Sequence, residues 1–276
     1  MLYVHSNGAT MPALGFGTFR MEPKDVVKMV PLAIKQGFRH IDTAQAYGNE
    51  DAVGEALVAS GIARDEIFLT TKVWIDNFDP QDFLPSIEDS LKKLRVDHVD
   101  LLLLHWPFVK KVPMDVQMPE FNKAVDRGMT RHIGLSNYTV SQINQAVSLS
   151  KAPIVTNQVE YHPYLSQQLV LNACKQHGMA LTSYYGMADG LVPRDERLAD
   201  IGSAYGKSAA QVALRWLIQQ PNVAALSKTV NPSRLAENFD IFDFSLSTGD
   251  MEAIHALARQ DGRLLSPAQR APDWDK

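Results

Sequence analysis

Eight short runs rich in leucine or β-branched residues alternate with amphipathic stretches of helical period along 276 residues, an alternation that predicts a (β/α)8 TIM barrel. Two observations sharpen this reading. Runs such as 99–104 are apolar almost throughout, which suits parallel strands buried on both faces. Each run also ends in a reactive or hydrogen-bonding residue: Thr18, Asp42, Lys72, His105, Ser136, Gln158, Tyr184 and Lys228. An open doubly wound sheet would string these ends along an edge. A closed barrel converges them on one rim, where barrels do their chemistry, and the barrel is therefore chosen.

In chain order, residues 2–11 precede the first strand and are expected to form an N-terminal β-hairpin plugging the bottom of the barrel. A strand over 13–18 follows, then a helix over 24–36 stopped by Gly37, then a strand over 40–43. A strand over 67–72 leads to a helix over 81–94, and the leucine run makes a strand over 99–105. A helix over 115–127 stops at Gly128, before a strand over 132–136. Strands over 155–160 and 180–185 flank a helix over 166–177, which Ser166 is expected to cap and Gly178 to stop. In the helix over 208–219, Val212, Leu214, Trp216, Leu217 and Ile218 favour one face, and a strand over 224–229 completes the set. No Pro/Ser-rich linker or low-complexity stretch divides the chain, so residues 1–276 read as a single domain.

Hydrophobic content is 45% and charged content 21%, as in ordinary globular domains. A net charge of −4 without a long basic run argues against nucleic acid or an anionic membrane as the main partner. The lone cysteine, Cys174, cannot form an intrachain disulfide or a Cys-rich zinc site. The N-terminus lacks the basic and apolar regions of a secretion signal, and no apolar stretch approaches the ~20 residues of a membrane span. A cytoplasmic location is expected. Neither HExxH nor CxxC occurs, and the eight histidines show no ligand spacing, so no metal is expected. His40, His132 and His162 read as structural.

Given a barrel, Asp42 and Lys72 end adjacent strands and can pair, with Tyr47 in the loop just after Asp42. A phenol is a poor acid at neutral pH, with a pKa of about 10. A nearby ammonium is expected to lower it, and Asp42 to keep Lys72 charged and oriented. His105, at the neighbouring strand end, can donate a hydrogen bond to a carbonyl oxygen. Together these form an acid able to protonate an alkoxide as it forms. No side chain supplies hydride, so the electrons must come from a cofactor. One polar residue at a strand end is as readily a stabilising contact; four with this chemistry weigh toward catalysis.

The stretch 37–57, GFRHIDTAQAYGNEDAVGEAL, resembles the signature of the aldo-keto reductases. TTKVW at 70–74, VDLLLLHWP at 99–107, HIGLSNY at 132–138, NQVEYHPY at 157–164 and SKTVNPSRLAENF at 227–239 resemble further landmarks of that family, in family order. The resemblance implies carbonyl reduction with NADPH, hydride coming from nicotinamide C4. It implies Tyr47 as general acid, tuned by Lys72 and Asp42, with His105 orienting the carbonyl. Ser136, Asn137 and Gln158 match positions that hydrogen-bond the carboxamide, and Tyr184 matches the aromatic that stacks on the nicotinamide. Lys228 and Arg234 match the grip on the 2′-phosphate, for which a point charge and a planar fork suit a dianion. Glu237 and Asn238 match adenine contacts, and Gly17, Thr18, Asp42 and Thr229 complete the implied cofactor set. Phe19, Trp74 and Trp106, with Tyr47 and His105, match the substrate pocket. The implied oligomeric state is a monomer.

Ser227 stands where many relatives have proline, which is expected to loosen the strand exit. Gly15-Phe16-Gly17 offers a GxG, but Arg20 stands where a Rossmann fingerprint needs its third glycine. The connection after Tyr185, over 186–193, is short, as is the ending over 262–276, although Trp274 points to docking. That ending resembles bacterial 2,5-diketo-D-gluconate reductases, a subgroup also associated with methylglyoxal, and is expected to leave the pocket open to small polar carbonyls. Two other readings compete. Lys72 could form the Schiff base of a barrel aldolase, although Asp42 would keep it protonated. A cofactor-sensing barrel that binds a partner protein is the non-enzymatic reading.

Overall fold

Asn7 and Gly8 hold φ angles of 43° and 89°, the left-handed pair that a two-residue hairpin turn demands, and join β1 (Tyr3–Ser6) to β2 (Ala9–Pro12). The Asn7 side chain donates to Ile154 O (2.7 Å) and His177 O (2.9 Å), which fixes the hairpin beside the entry of a barrel strand. It therefore covers the barrel end away from the strand exits, where the sequence places it. The computed structural model describes residues 1–107 and 112–275. Lys276, the last residue of the tail, lies outside the described residues.

Alternation of strand and helix then runs along the chain: β3 (Leu14–Gly17), α1 (Pro23–Gln36), β4 (His40–Asp42), α2 (Glu50–Ser60), β5 (Phe68–Val73), α3 (Pro80–Leu94) and β6 (Val99–Leu104). It continues through α4 (Met114–Asp126), β7 (Thr130–Ser136), α5 (Val140–Leu149), β8 (Ile154–Glu160), α6 (Gln168–Gln176) and β9 (Ala180–Tyr184). The last elements are α7 (Glu196–Ser203), α8 (Ala209–Gln219), β10 (Val223–Ser227), α9 (Pro232–Phe239) and α10 (Thr248–His255). β3 to β10 pair in parallel, in order, and β10 closes on β3 through Ala225–Leu14, Leu226–Gly15 and Ser227–Phe16. The fold is the expected (β/α)8 barrel, each predicted strand displaced at its ends by at most two residues.

β6 and β8 are buried along their whole length, as parallel strands covered on both faces must be. A Cβ on Gly15 would lie 2.7 Å from Leu226 Cδ2 and 2.8 Å from His40 Nδ1, so this glycine serves the barrel seam rather than a phosphate. Ser227 stays buried and in register with Phe16, so the strand exit is not loosened there. Gly37, Gly128 and Gly178 follow their helices at φ 119°, 69° and 66°, the left-handed stop that glycine adopts without penalty. The cap expected at Ser166 is displaced: α6 begins at Gln168, and Ser166 Oγ accepts from the Gln168 N–H at 3.4 Å. Ser208, in contrast, forms a reciprocal capping box with Gln211.

Candidate active site

Parallel pairing sets β4 and β5 side by side, so that their exits carry Asp42 and Lys72 within reach of one another. Lys72 is completely buried, and its ammonium donates to Asp42 Oδ1 (2.6 Å), Thr43 O (2.8 Å) and Tyr47 Oη (3.2 Å). Asp42 accepts a second bond at Oδ2 from Gln158 Nε2 (2.9 Å), so a residue expected to serve the cofactor also braces the ion pair. Tyr47 ends a single helical turn, Gln45–Tyr47, closed by Gly48 at φ 66°. Gln45 ties that turn down: its Oε1 accepts from the Trp74 N–H (2.7 Å) and its Nε2 donates to Ser86 O (3.1 Å). The His105 ring meets Tyr47 edge-on at 5.6 Å and Trp74 at 5.3 Å.

Electrostatics here depart from the expectation of a lowered phenol. Burial pushes the Tyr47 hydroxyl well above its ordinary range, and the Asp42 charge adds to that rise. Burial lowers Lys72, against the opposing pull of Asp42. The ammonium does not lower Tyr47 because it sits in a pair with Asp42, and desolvation of a phenolate dominates. Burial, with the charges of Lys72 and Arg270, holds His105 well below its ordinary value, so the imidazole is neutral. Neither of its ring nitrogens has a hydrogen-bond partner among the described residues, and Nδ1 is buried. The phenol and the imidazole are thus both neutral hydrogen-bonding groups.

A cavity of about 870 Å³ extends from this cluster along the strand exits. Asp42, Tyr47, His105, Phe19, Trp74 and Trp106 line it, as do Gly17, Ser136, Asn137, Gln158 and Tyr184. Tyr184 Oη donates to Asn137 Oδ1 (2.6 Å), and Asn137 Nδ2 donates to His105 O (3.0 Å). These bonds link the expected nicotinamide contacts to the strand end that carries His105. Farther along lie Lys228, Thr229, Arg234, Glu237 and Asn238, the last three on α9. Lys228 and Arg234 are exposed and make no ion pair or hydrogen bond with any described residue. Two cations lining the cavity without a partner among the described residues fit the 2′-phosphate of an anionic dinucleotide. Thr18 does not line the cavity; its buried hydroxyl donates to Asp42 O (3.2 Å) and so serves strand packing.

Several lining residues escaped the sequence reading. Arg20, at φ 56°, donates to Tyr185 Oη (2.8 Å) from across the cleft, and Tyr185 is itself at φ 62°. The tail also builds a wall, through Leu265, Pro267 and Arg270. Glu160, wholly buried at the exit of β8, accepts the N–H groups of Leu264 (2.7 Å) and Leu265 (2.9 Å) as well as His162 Nε2 (3.0 Å). The Arg263 guanidinium lies over the Trp274 ring at 3.7 Å, and Trp274 meets Trp106 at 6.2 Å. His162 is thus a packing partner of the tail anchor. His40, bonded to Thr70 Oγ1 (3.1 Å), is likewise structural.

Comparison with known proteins agrees with this architecture and site. Residues 13–259 match the Aldo/keto reductase family. Methylglyoxal reductase DkgB of Salmonella typhimurium is 40% identical over 268 residues, covering 96% of this chain and all of the relative. Glyoxal reductase of Bacillus subtilis is 38% identical, with 92% of each chain covered. A crystal structure assigned as a 2,5-diketo-D-gluconic acid reductase B superposes with a TM-score of 0.99 at 56% identity, over 100% of this chain and 98% of that one. A mutant of Gox0644 in complex with NADPH superposes with a TM-score of 0.91 at 33% identity, over 96% of both chains. The chain belongs to the aldo/keto reductase family. It is an NADPH-dependent oxidoreductase that acts on carbonyl compounds.

Proposed function

We propose that this protein reduces small polar aldehydes and ketones, of the 2-oxoaldehyde and diketo-sugar-acid kind, with Tyr47 as the proton donor. The observation that carries the reading is the cluster in the cavity wall where Tyr47 Oη receives a bond from Lys72 Nζ, while Asp42 holds Lys72 and is itself held by Gln158. The carbonyl oxygen sits between the Tyr47 hydroxyl and the His105 ring, whose Nε2, the ring nitrogen that is not buried, supplies a donor. NADPH, when bound, supplies hydride to the carbonyl carbon. As charge develops on oxygen, Tyr47 Oη releases its proton to it, and the Lys72 ammonium steadies the phenolate left behind. A phenol raised by burial stays protonated across neutral pH, which a donor requires.

Tyr184 would face the nicotinamide, Ser136 and Asn137 would hold its carboxamide, and Lys228 and Arg234 would hold the 2′-phosphate. The relatives named for methylglyoxal and glyoxal support small 2-oxoaldehydes as substrates, and the structure assigned to diketogluconate supports a sugar acid. An aldolase role for Lys72 finds no support, since all three ammonium hydrogens are engaged and no lone pair faces the cavity. The reading includes one domain over 1–276, acting as a monomer in the cytoplasm; light scattering that returns the mass of one chain tests the oligomeric part.

The test is oxidation of NADPH, followed by its absorbance, against methylglyoxal, diketogluconate, an aromatic aldehyde and a β-keto ester. Turnover is expected with the first two, and Tyr47→Phe is expected to lose about 10²–10⁴-fold in kcat while NADPH still binds. Near-normal turnover by that variant would remove Tyr47 from its role.

A further inference from the structure

Arg270 is a cation in the substrate end of the cavity that the reduction itself does not use. Its guanidinium carbon lies 5.0 Å from the Trp74 ring centroid and 5.7 Å from that of Trp106, within cation–π range of both. The residue is half-buried, lines the same cavity as Tyr47 and His105, and is close enough for its charge to act on His105. Its Nε is buried without a hydrogen-bond partner, and no carboxylate of the described residues pairs with it. The other acidic and basic groups of that wall are engaged elsewhere: Glu160 with the tail backbone, Arg263 with Glu160 and Trp274, and Asp275 with the Val140 N–H.

A half-buried guanidinium without a carboxylate partner leaves its charge unmatched, and a site containing one is complementary to an anion. Two indoles hold the guanidinium, so the anion is met by the planar fork that matches an oxyanion pair. A dianionic phosphate calls for a second cation, as Lys228 and Arg234 provide at the other end of the cleft. A single guanidinium between apolar walls suits a planar monoanion. Trp74 sets the spacing, with Arg270 at 5.0 Å from its centroid and the His105 ring at 5.3 Å.

We propose that Arg270 binds the carboxylate of the substrate, which makes oxo acids the preferred class: the carbonyl lies at Tyr47 and His105, and the carboxylate reaches Arg270 past Trp74. This rests on the reductase reading and narrows it. The experiment compares matched pairs, 4-carboxybenzaldehyde with methyl 4-formylbenzoate and succinic semialdehyde with butanal, with NADPH. The wild-type enzyme is expected to favour each acid at least tenfold in kcat/KM, mainly through KM. Arg270→Met should shrink the acid-to-neutral ratio about tenfold to hundredfold, and Arg270→Lys should restore part of it.

A wild-type preference for the neutral partners, or a ratio that Arg270→Met leaves unchanged, overturns the proposal while the reductase reading stands. Tryptophan fluorescence gives a second readout that needs no turnover. Benzoate, but not benzamide, is expected to perturb Trp74 and Trp106, and Arg270→Met to abolish the effect. If no aldehyde of any kind is reduced, the reductase reading fails, and the benzoate titration still decides whether Arg270 binds carboxylate. Equal responses to benzoate and benzamide would sink it.

Discussion

Lys72 is read most fully through its three hydrogen bonds, because each fixes a different property of the site. The bond to Thr43 O positions the amine, the bond to Asp42 supplies its counter-charge, and the bond to Tyr47 couples it to the reaction. Arg234 has the opposite character: it is exposed and without a partner among the described residues. If its partner is the 2′-phosphate, Arg234→Ala deletes charge-assisted bonds of about 1.5–3 kcal/mol and weakens NADPH about tenfold to hundredfold, while NADH is little affected. Fluorescence titration with both cofactors measures this, and equal weakening would show that Arg234 does not read the phosphate. Asp42, Tyr47, Lys72 and His105 were legible in sequence because strand ends in a barrel converge by geometry. Arg20 and Tyr185 were not, since their contact joins positions 165 residues apart and no local pattern announces it. The sign of the Tyr47 shift was not legible either, because it depends on how deeply the phenol is buried beside an already paired ammonium.

Among the elements, the tail bears most directly on function, for it has no regular structure and yet forms a pocket wall. Its anchor is Glu160, whose two oxygens accept consecutive backbone N–H groups from Leu264 and Leu265. Glu160→Gln keeps the shape but replaces one acceptor with an NH2 group that faces a donor. The expected cost is about 1.5–3 kcal/mol, concentrated in the tail. Hydrogen exchange over 263–275 should quicken while the barrel strands keep their protection. Protection that stays unchanged would mean that the Arg263–Trp274 stack holds the tail without Glu160. The eight strands were readable because burial on both faces leaves nearly unbroken apolar runs. α2 was not singled out, and its Gly54 has a packing reason that only the fold shows. A Cβ there would collide with the Lys93 carbonyl oxygen, so the glycine is what allows α2 to pack on α3. α9 and α10, at eight residues each, are too short to establish a helical period.

For the whole molecule, closing the barrel around neutral imidazoles has a consequence in acid. Burial pushes His40 down to about 4 and holds His105 well below its ordinary value, whereas in the unfolded chain both titrate near 6.5. With folded pKa values below unfolded ones, the unfolded chain binds more protons at intermediate pH. Their contribution to stability is therefore complete above about pH 6.5 and is lost as pH falls from there toward 4. His40 alone is worth on the order of 3 kcal/mol over that window. Glu50, raised by burial, acts in the opposite sense as it takes up its proton, but one carboxyl opposes two imidazoles. The melting temperature should therefore fall steadily from pH 7 to pH 4.5, and His40→Asn, less stable at pH 7, should show a shallower fall. A wild-type melting temperature that is flat over this range would mean that the barrel tolerates charged imidazoles. Since His105 belongs to both the barrel and the site, the acid limb of activity should follow loss of the fold, and circular dichroism and turnover should decline together as pH is lowered.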